Sequence, residues 1–189
     1  MSFTIKTNKF PGCYELFPNI RIDSRGTFVK TFHQATFDEL HLEIDFAEEY
    51  FSVSHKGVLR GMHFQTPPYD HTKLVYCVDG EVLDVLVDLR LGSPTYGEFE
   101  VFNLNSIACN MLYIPPGLAH GFYVMSNRAI MMYKVTTLYN PEHDCGILWN
   151  SIAIPWPSDR PLISERDNNF QAFDEFRSPF QFEAKRNEK

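Results

Sequence analysis

Gly57-Val58-Leu59-Arg60-Gly61-Met62-His63-Phe64-Gln65 sets one histidine inside an otherwise apolar, strand-like run, two residues after a glycine and three after an arginine. Downstream, Pro115-Pro116-Gly117-Leu118-Ala119-His120 places a second histidine just past a proline and glycine turn. Between and around them strand signals dominate. Residues 73–78 and 82–89 flank Asp79-Gly80, a dipeptide that tolerates positive φ and predicts a tight hairpin. In the second run Leu83, Val85, Val87 and Leu89 share one face, with Asp84 and Asp88 on the other. Further strands are expected at 28–32, 50–54, 99–104, 111–114, 121–125 and 130–136. Many short strands at even spacing mean an all-β sandwich or closed double-sheet barrel.

Two segments read as helical. Thr36-x-x-Glu39 has the form of a capping box, which predicts a short helix over 37–42. Phe170, Phe173, Phe176 and Phe180 recur every three or four residues among charges, predicting an amphipathic segment packed on the barrel. With no repeat or linker, residues 1–183 read as one domain and 184–189 as a frayed tail.

At 189 residues, 44% hydrophobic and 15% aromatic, the chain can bury a sizeable core without disulfides or metal. No apolar run approaches the roughly 18 residues of a membrane span, and the N-terminus lacks the layout of a signal peptide. Cys13, Cys77, Cys109 and Cys145 are far apart and read as reduced thiols of a cytoplasmic protein. A net charge of −7 argues against a nucleic-acid surface. A small anionic ligand remains compatible with it, because pockets collect local charge; Arg25, Arg60 and Lys73 are the first candidates.

The two histidine motifs resemble those of a cupin barrel, which implies a cupin-type jelly roll with short flanking helices. A metal cupin presents His-x-His, then Glu followed by six residues and Gly, then Pro-x-Gly-x-x-His. Here His63 and Gln65 fill the first pair, Lys73 stands in the glutamate slot ahead of Gly80, and His120 fills the last. A lysine ammonium would repel a metal that wants three or four N/O ligands, so no metal is expected. Two histidines facing a lysine suit proton removal beside a ketone: histidine as base, Lys73 as the fixed charge that meets the enolate oxygen. Tyr133, in mid-strand, is a candidate acid for the opposite face, although a lone strand tyrosine also serves as packing. Strict alternation puts Arg60 on the other face from His63 and Gln65. Either Gly61 marks a bulge that re-aims Arg60, the reading preferred here, or Arg60 is a surface residue.

These residues in this order resemble the dTDP-4-dehydrorhamnose 3,5-epimerase family over nearly the whole chain. The likeness runs through Asp23-Ser24-Arg25-Gly26-Thr27-Phe28, residues 57–65, Lys73-Leu74-Val75, residues 80–90 and Ser93-Pro94-Thr95-Tyr96-Gly97. It continues through residues 114–122, Gly146-Ile147-Leu148-Trp149-Asn150 and Ser164-Glu165-Arg166-Asp167. The resemblance implies a metal-free, cofactor-independent epimerase of a nucleotide-diphosphate 4-keto-6-deoxyhexose. It further implies a homodimer whose nucleotide site is partly built by the partner subunit. By matched position, His63 would be the base, Asp167 its orienting partner and Tyr133 the acid. Lys73 and His120 would line the ketone and enolate region, and Arg25 and Arg60 would hold the diphosphate. Asp144 and Arg166 would contact substrate, with Phe28 and Tyr139 along the sugar and nucleotide and Gln65 in the pocket. A role in bacterial surface-polysaccharide synthesis follows from the resemblance alone.

The departures cluster near the expected nucleotide site. Lys30 stands where the thymidine-specific enzymes usually carry Glu, and Glu48 and Tyr50 replace the Gln and Asn that usually approach the base. An ionised Glu only accepts hydrogen bonds, whereas an amide both donates and accepts. A CDP or GDP carrier is therefore an alternative to dTDP, and inversion at C3, at C5 or at both stays open. A cupin ketoisomerase, a non-catalytic sugar-binding cupin and a metal-dependent oxygenase are the rival readings of the same barrel.

Overall fold

A computed structural model describes residues 3–183. Among these the strands are β1 (Thr4–Thr7), β2 (Tyr14–Phe17), β3 (Ile20–Asp23), β4 (Gly26–Val29), β5 (Glu48–His55), β6 (Leu59–Gln65) and β7 (Lys73–Asp79). They continue as β8 (Glu81–Asp88), β9 (Phe99–Asn105), β10 (Met111–Ile114), β11 (Leu118–Val124), β12 (Arg128–Val135) and β13 (Asp144–Gly146). The helices are α1 (Gln34–Glu39) and α2 (Glu165–Asn168). One antiparallel sheet has the order β1-β2-β10-β7-β12-β5 and a second β13-β6-β11-β8-β9, while β3 and β4 form a separate hairpin. Neither of these helices is long and apolar enough to cross a membrane.

The two sheets close over a shared core that includes Val75, Leu86, Leu104, Leu112, Phe122 and Met131, drawn from both. Each sheet is also covered on its outer face. Leu16, Leu74 and Met111 pack beneath Phe37 of α1, and Val85, Val87, Leu89 and Phe64 pack beneath Phe173, Phe176 and Phe180. The apolar face of β8 read from its alternation is therefore the outer one. The face carrying Asp84 looks into the barrel, where Asp84 and Asp88 are fully buried.

Three local expectations are corrected. Asp79-Gly80 does not close a hairpin, because β7 and β8 belong to different sheets; the dipeptide carries the chain across the barrel. Gly80 adopts φ +86°, and a Cβ there would collide with the Arg128 carbonyl oxygen, so the residue must be glycine. Helix α1 starts three residues earlier than expected, with His33 at the N-cap and Thr36 inside the first turn. Burial of Phe37 against Phe3 and Phe32, with ring centroids 5.5 and 4.9 Å away, sets its position in place of a capping box. The segment bearing Phe170, Phe173, Phe176 and Phe180 is not helical. It runs across the five-stranded sheet with bridges at Ile147–Gln171 and Leu91–Gln181, because its phenylalanines must cover a broad sheet face. The tail expected at 184–189 lies outside the described residues.

Candidate active site

Between the sheets lies a cavity of about 480 Å³, lined by residues of β5, β6, β7, β11 and β12 and by Tyr139, Asp144 and Arg166. Antiparallel pairing of β6 with β11 puts His63 directly opposite His120. The register then shifts between His120 and Phe122, so that Phe122 pairs with Arg60. That bulge resolves the parity conflict: Arg60 lines the same cavity as His63 and Gln65, with its Nε donating to Ser54 Oγ at 2.9 Å.

His63 Nε2 stands 2.9 Å from Asp167 Oδ1. The contact lies off the ring's N–H axis, since Nε2 has no well-aligned hydrogen-bond partner. Asp167 is itself fixed. Its backbone N–H donates to Ser164 Oγ at the N-cap of α2, and its Oδ2 accepts from the Gly61 N–H at 3.1 Å. Burial pushes the Asp167 carboxyl up, but His63 and the Gly61 N–H outweigh it and hold it below the usual carboxylate range. A permanent carboxylate at Nε2 leaves Nδ1 as the basic nitrogen.

Lys73 is buried at the start of β7, its Nζ donating to the His63 carbonyl oxygen at 3.2 Å. Burial pulls its ammonium down to about 8, against the pull of Asp144 and Asp84. Tyr133 is buried on β12 and its hydroxyl lies 3.3 Å from Ser52 Oγ; burial pushes its phenol well above the usual value. Both shifts suit the cavity: a lysine near neutrality and a phenol that stays protonated.

Asp84 was not singled out from the sequence. It is fully buried beneath the cavity, with Oδ2 2.7 Å from His120 Nε2 and Oδ1 unpartnered. Burial pushes its carboxyl up, opposed by His120 and Lys73. The signal available in the sequence was an aspartate alternating with valines and leucines in a core strand. His71 was also missed; burial and Lys73 pull it down to about 3, so it lines the cavity as a neutral ring.

The wall and mouth hold the other expected residues. Asp144 and Arg166 form an ion pair at 2.7 Å. Glu48 Oε1 accepts the Tyr139 N–H at 3.0 Å. Gln65 lines the cavity but its amide is engaged internally, by the Tyr69 carbonyl at 2.8 Å and the Asn140 N–H at 2.7 Å. Arg25, Phe28 and Lys30 are not in the cavity. Arg25 is exposed and paired with Asp23, and Phe28 is exposed on the β3–β4 hairpin, which pairs with no other strand. No cluster of three or more His, Cys, Asp or Glu placed to hold a metal occurs among the described residues.

The family model described as dTDP-4-dehydrorhamnose 3,5-epimerase matches residues 7–175. The enzyme of that name from Shigella flexneri is 45% identical over 159 residues, covering 82% of this chain and 88% of its own. A dTDP-4-dehydrorhamnose 3-epimerase of Streptomyces niveus is 40% identical over 161 residues, covering 84% of this chain and 78% of its own. The crystal structure of a Legionella pneumophila dTDP-6-deoxy-D-glucose-3,5-epimerase in complex with dTDP-4-keto-L-rhamnose superposes with a TM-score of 0.92 at 34% identity, over 97% of this chain and 100% of that one.

Proposed function

Because this chain belongs to the dTDP-4-dehydrorhamnose 3,5-epimerase family, an isomerase family acting on nucleotide-linked 4-keto-6-deoxyhexoses, we propose how its own cavity performs the epimerisation. His63 removes the proton next to the C4 ketone, and Asp167 stabilises the imidazolium that forms. The enolate oxygen is met by the Lys73 ammonium, with His120 beside it held by Asp84. Tyr133 returns a proton at C5 from the face opposite His63. Arg60 takes the diphosphate, where a guanidinium fork matches phosphate oxygens, and the Asp144–Arg166 pair and Tyr139 contact substrate at the mouth. No cofactor enters this scheme. The observation that carries it is the His63–Asp167 contact at 2.9 Å in a cavity that also holds Lys73 and Tyr133.

The exposed Arg25 and Phe28, with the half-buried Lys30 just after β4, complete the nucleotide site from a partner subunit, in a homodimer with shared active sites. The four free cysteines fit a reducing cytoplasm. dTDP is the first carrier, following the relatives' names; the Glu48 carboxylate at the mouth favours a base edge with donor hydrogens and makes CDP and GDP the comparison. The test uses 4-keto-6-deoxyhexoses on dTDP, CDP and GDP in D2O, with NMR following C3 and C5. Deuterium entering on one carrier supports the scheme and names the nucleotide. Tight binding without exchange on any carrier overturns it in favour of a ketoisomerase or a sugar-binding protein.

A further inference from the structure

Tyr133 is held from more than one side. β12 pairs with β5 so that Tyr133 lies directly opposite Tyr50. The two rings stack with centroids 4.9 Å apart and planes 17° from parallel. Ser52, two residues along β5, approaches the Tyr133 hydroxyl, and the His120 ring meets Tyr133 edge-on at 6.3 Å. Tyr50 is 44% exposed and sits on the edge strand of its sheet. It lines the cavity, and its ring lies flat against the Tyr133 side chain. Stacked aromatic pairs favour this offset, near-parallel geometry.

We propose that Tyr50 is a positioning residue for inversion at C5: stacked on Tyr133, it holds that hydroxyl on the face of the sugar opposite His63. The inference rests on the function proposed above and adds the device that aims the acid. Proton removal by His63 does not need it. With Tyr133 free to tilt, the C5 enolate recovers a proton from His63 on the original face, giving exchange without inversion. The measure of Tyr50 is therefore the number of C5 inversions per C5 exchange, a ratio that loss of substrate binding or of overall stability does not move.

Tyr50→Leu and Tyr50→Phe are compared with the parent enzyme in D2O, scoring deuterated molecules as C5-inverted or C5-retained at early times by NMR. Tyr50→Leu, which removes the ring, is expected to lower inversions per exchange by about 3- to 10-fold, while Tyr50→Phe, which keeps it, stays within about 2-fold of the parent. An unchanged ratio in Tyr50→Leu overturns the proposal even if turnover falls, because Tyr50 then only lines the binding site. A fall in Tyr50→Phe as deep as in Tyr50→Leu also overturns it, since the hydroxyl and not the stacked ring would be acting. C5 exchange without inversion in the parent overturns it too, whereas no exchange at either carbon on any carrier is failure of the proposed function itself.

Discussion

Replacing Lys73 with methionine should make the protein more stable and nearly inactive. Lys73 is 8% exposed, and burial holds its ammonium at about 8 against an ordinary 10.5. At about 1.4 kcal/mol per pH unit, keeping that charge in the barrel costs the native state about 3 kcal/mol at pH 7. Methionine fills a similar volume without charge. It gives up the hydrogen bond from Nζ to the His63 carbonyl, worth about 1 kcal/mol. The net gain of about 2 kcal/mol corresponds to a rise in Tm of roughly 4–8 °C for a domain of this size. Losing the charge proposed to meet the enolate should lower deuterium exchange by about 10²–10³-fold. The sign with pH follows from the depressed pKa. Between about 8 and 10.5 the unfolded lysine binds a proton that the folded one does not, so parent stability rises there and the gap to Lys73→Met closes. Thermal unfolding followed by circular dichroism from pH 7 to 10.5 tests this. A Lys73→Met protein no more stable than the parent at pH 7, or a gap that persists to pH 10.5, would refute the reasoning. For the same reason, parent exchange should decline as pH rises through about 8.

His63→Ala should lower exchange at both C3 and C5 by about 10²–10⁴-fold with nucleotide binding largely kept; strong loss of binding in a titration would make His63 a binding residue. Tyr133→Phe should cost C5 inversion about 100-fold or more while C5 proton removal falls less, and equal loss of both in the NMR assay counts against its role as acid. Asp84→Ala leaves the buried His120 ring without its hydrogen-bond partner and should destabilise the fold by about 1–3 kcal/mol in urea denaturation. A change under about 1 kcal/mol would mean that the Asp84–His120 pair holds nothing in place.

Much of the site was legible because its residues sit at fixed offsets in local motifs. The count back from Gly80 marked Lys73, the Pro-Gly turn marked His120, and an interrupted apolar run marked His63. Alternation also sorted the faces of β8 correctly. It could not say which face was interior, and the natural guess from polarity fails: the face with Asp84 looks into the barrel, because the C-terminal phenylalanines cover the other. Arg60 and Gly80 show the same limit. The bulge that turns Arg60 into the cavity and the crossing of the chain at Gly80 depend on which strands pair, and residues far away in the chain supply those partners.

By itself, then, the sequence determined an all-β barrel, the identity of the histidine, lysine and tyrosine at its centre, and the family to which they belong. The tertiary structure decided what other side chains face: Asp84 behind His120, Tyr50 against Tyr133, and Arg25 outside the cavity altogether. The physical reason is range. A strand's period of two is a local property of the backbone, whereas sheet order, register and burial are set by pairings between segments tens of residues apart.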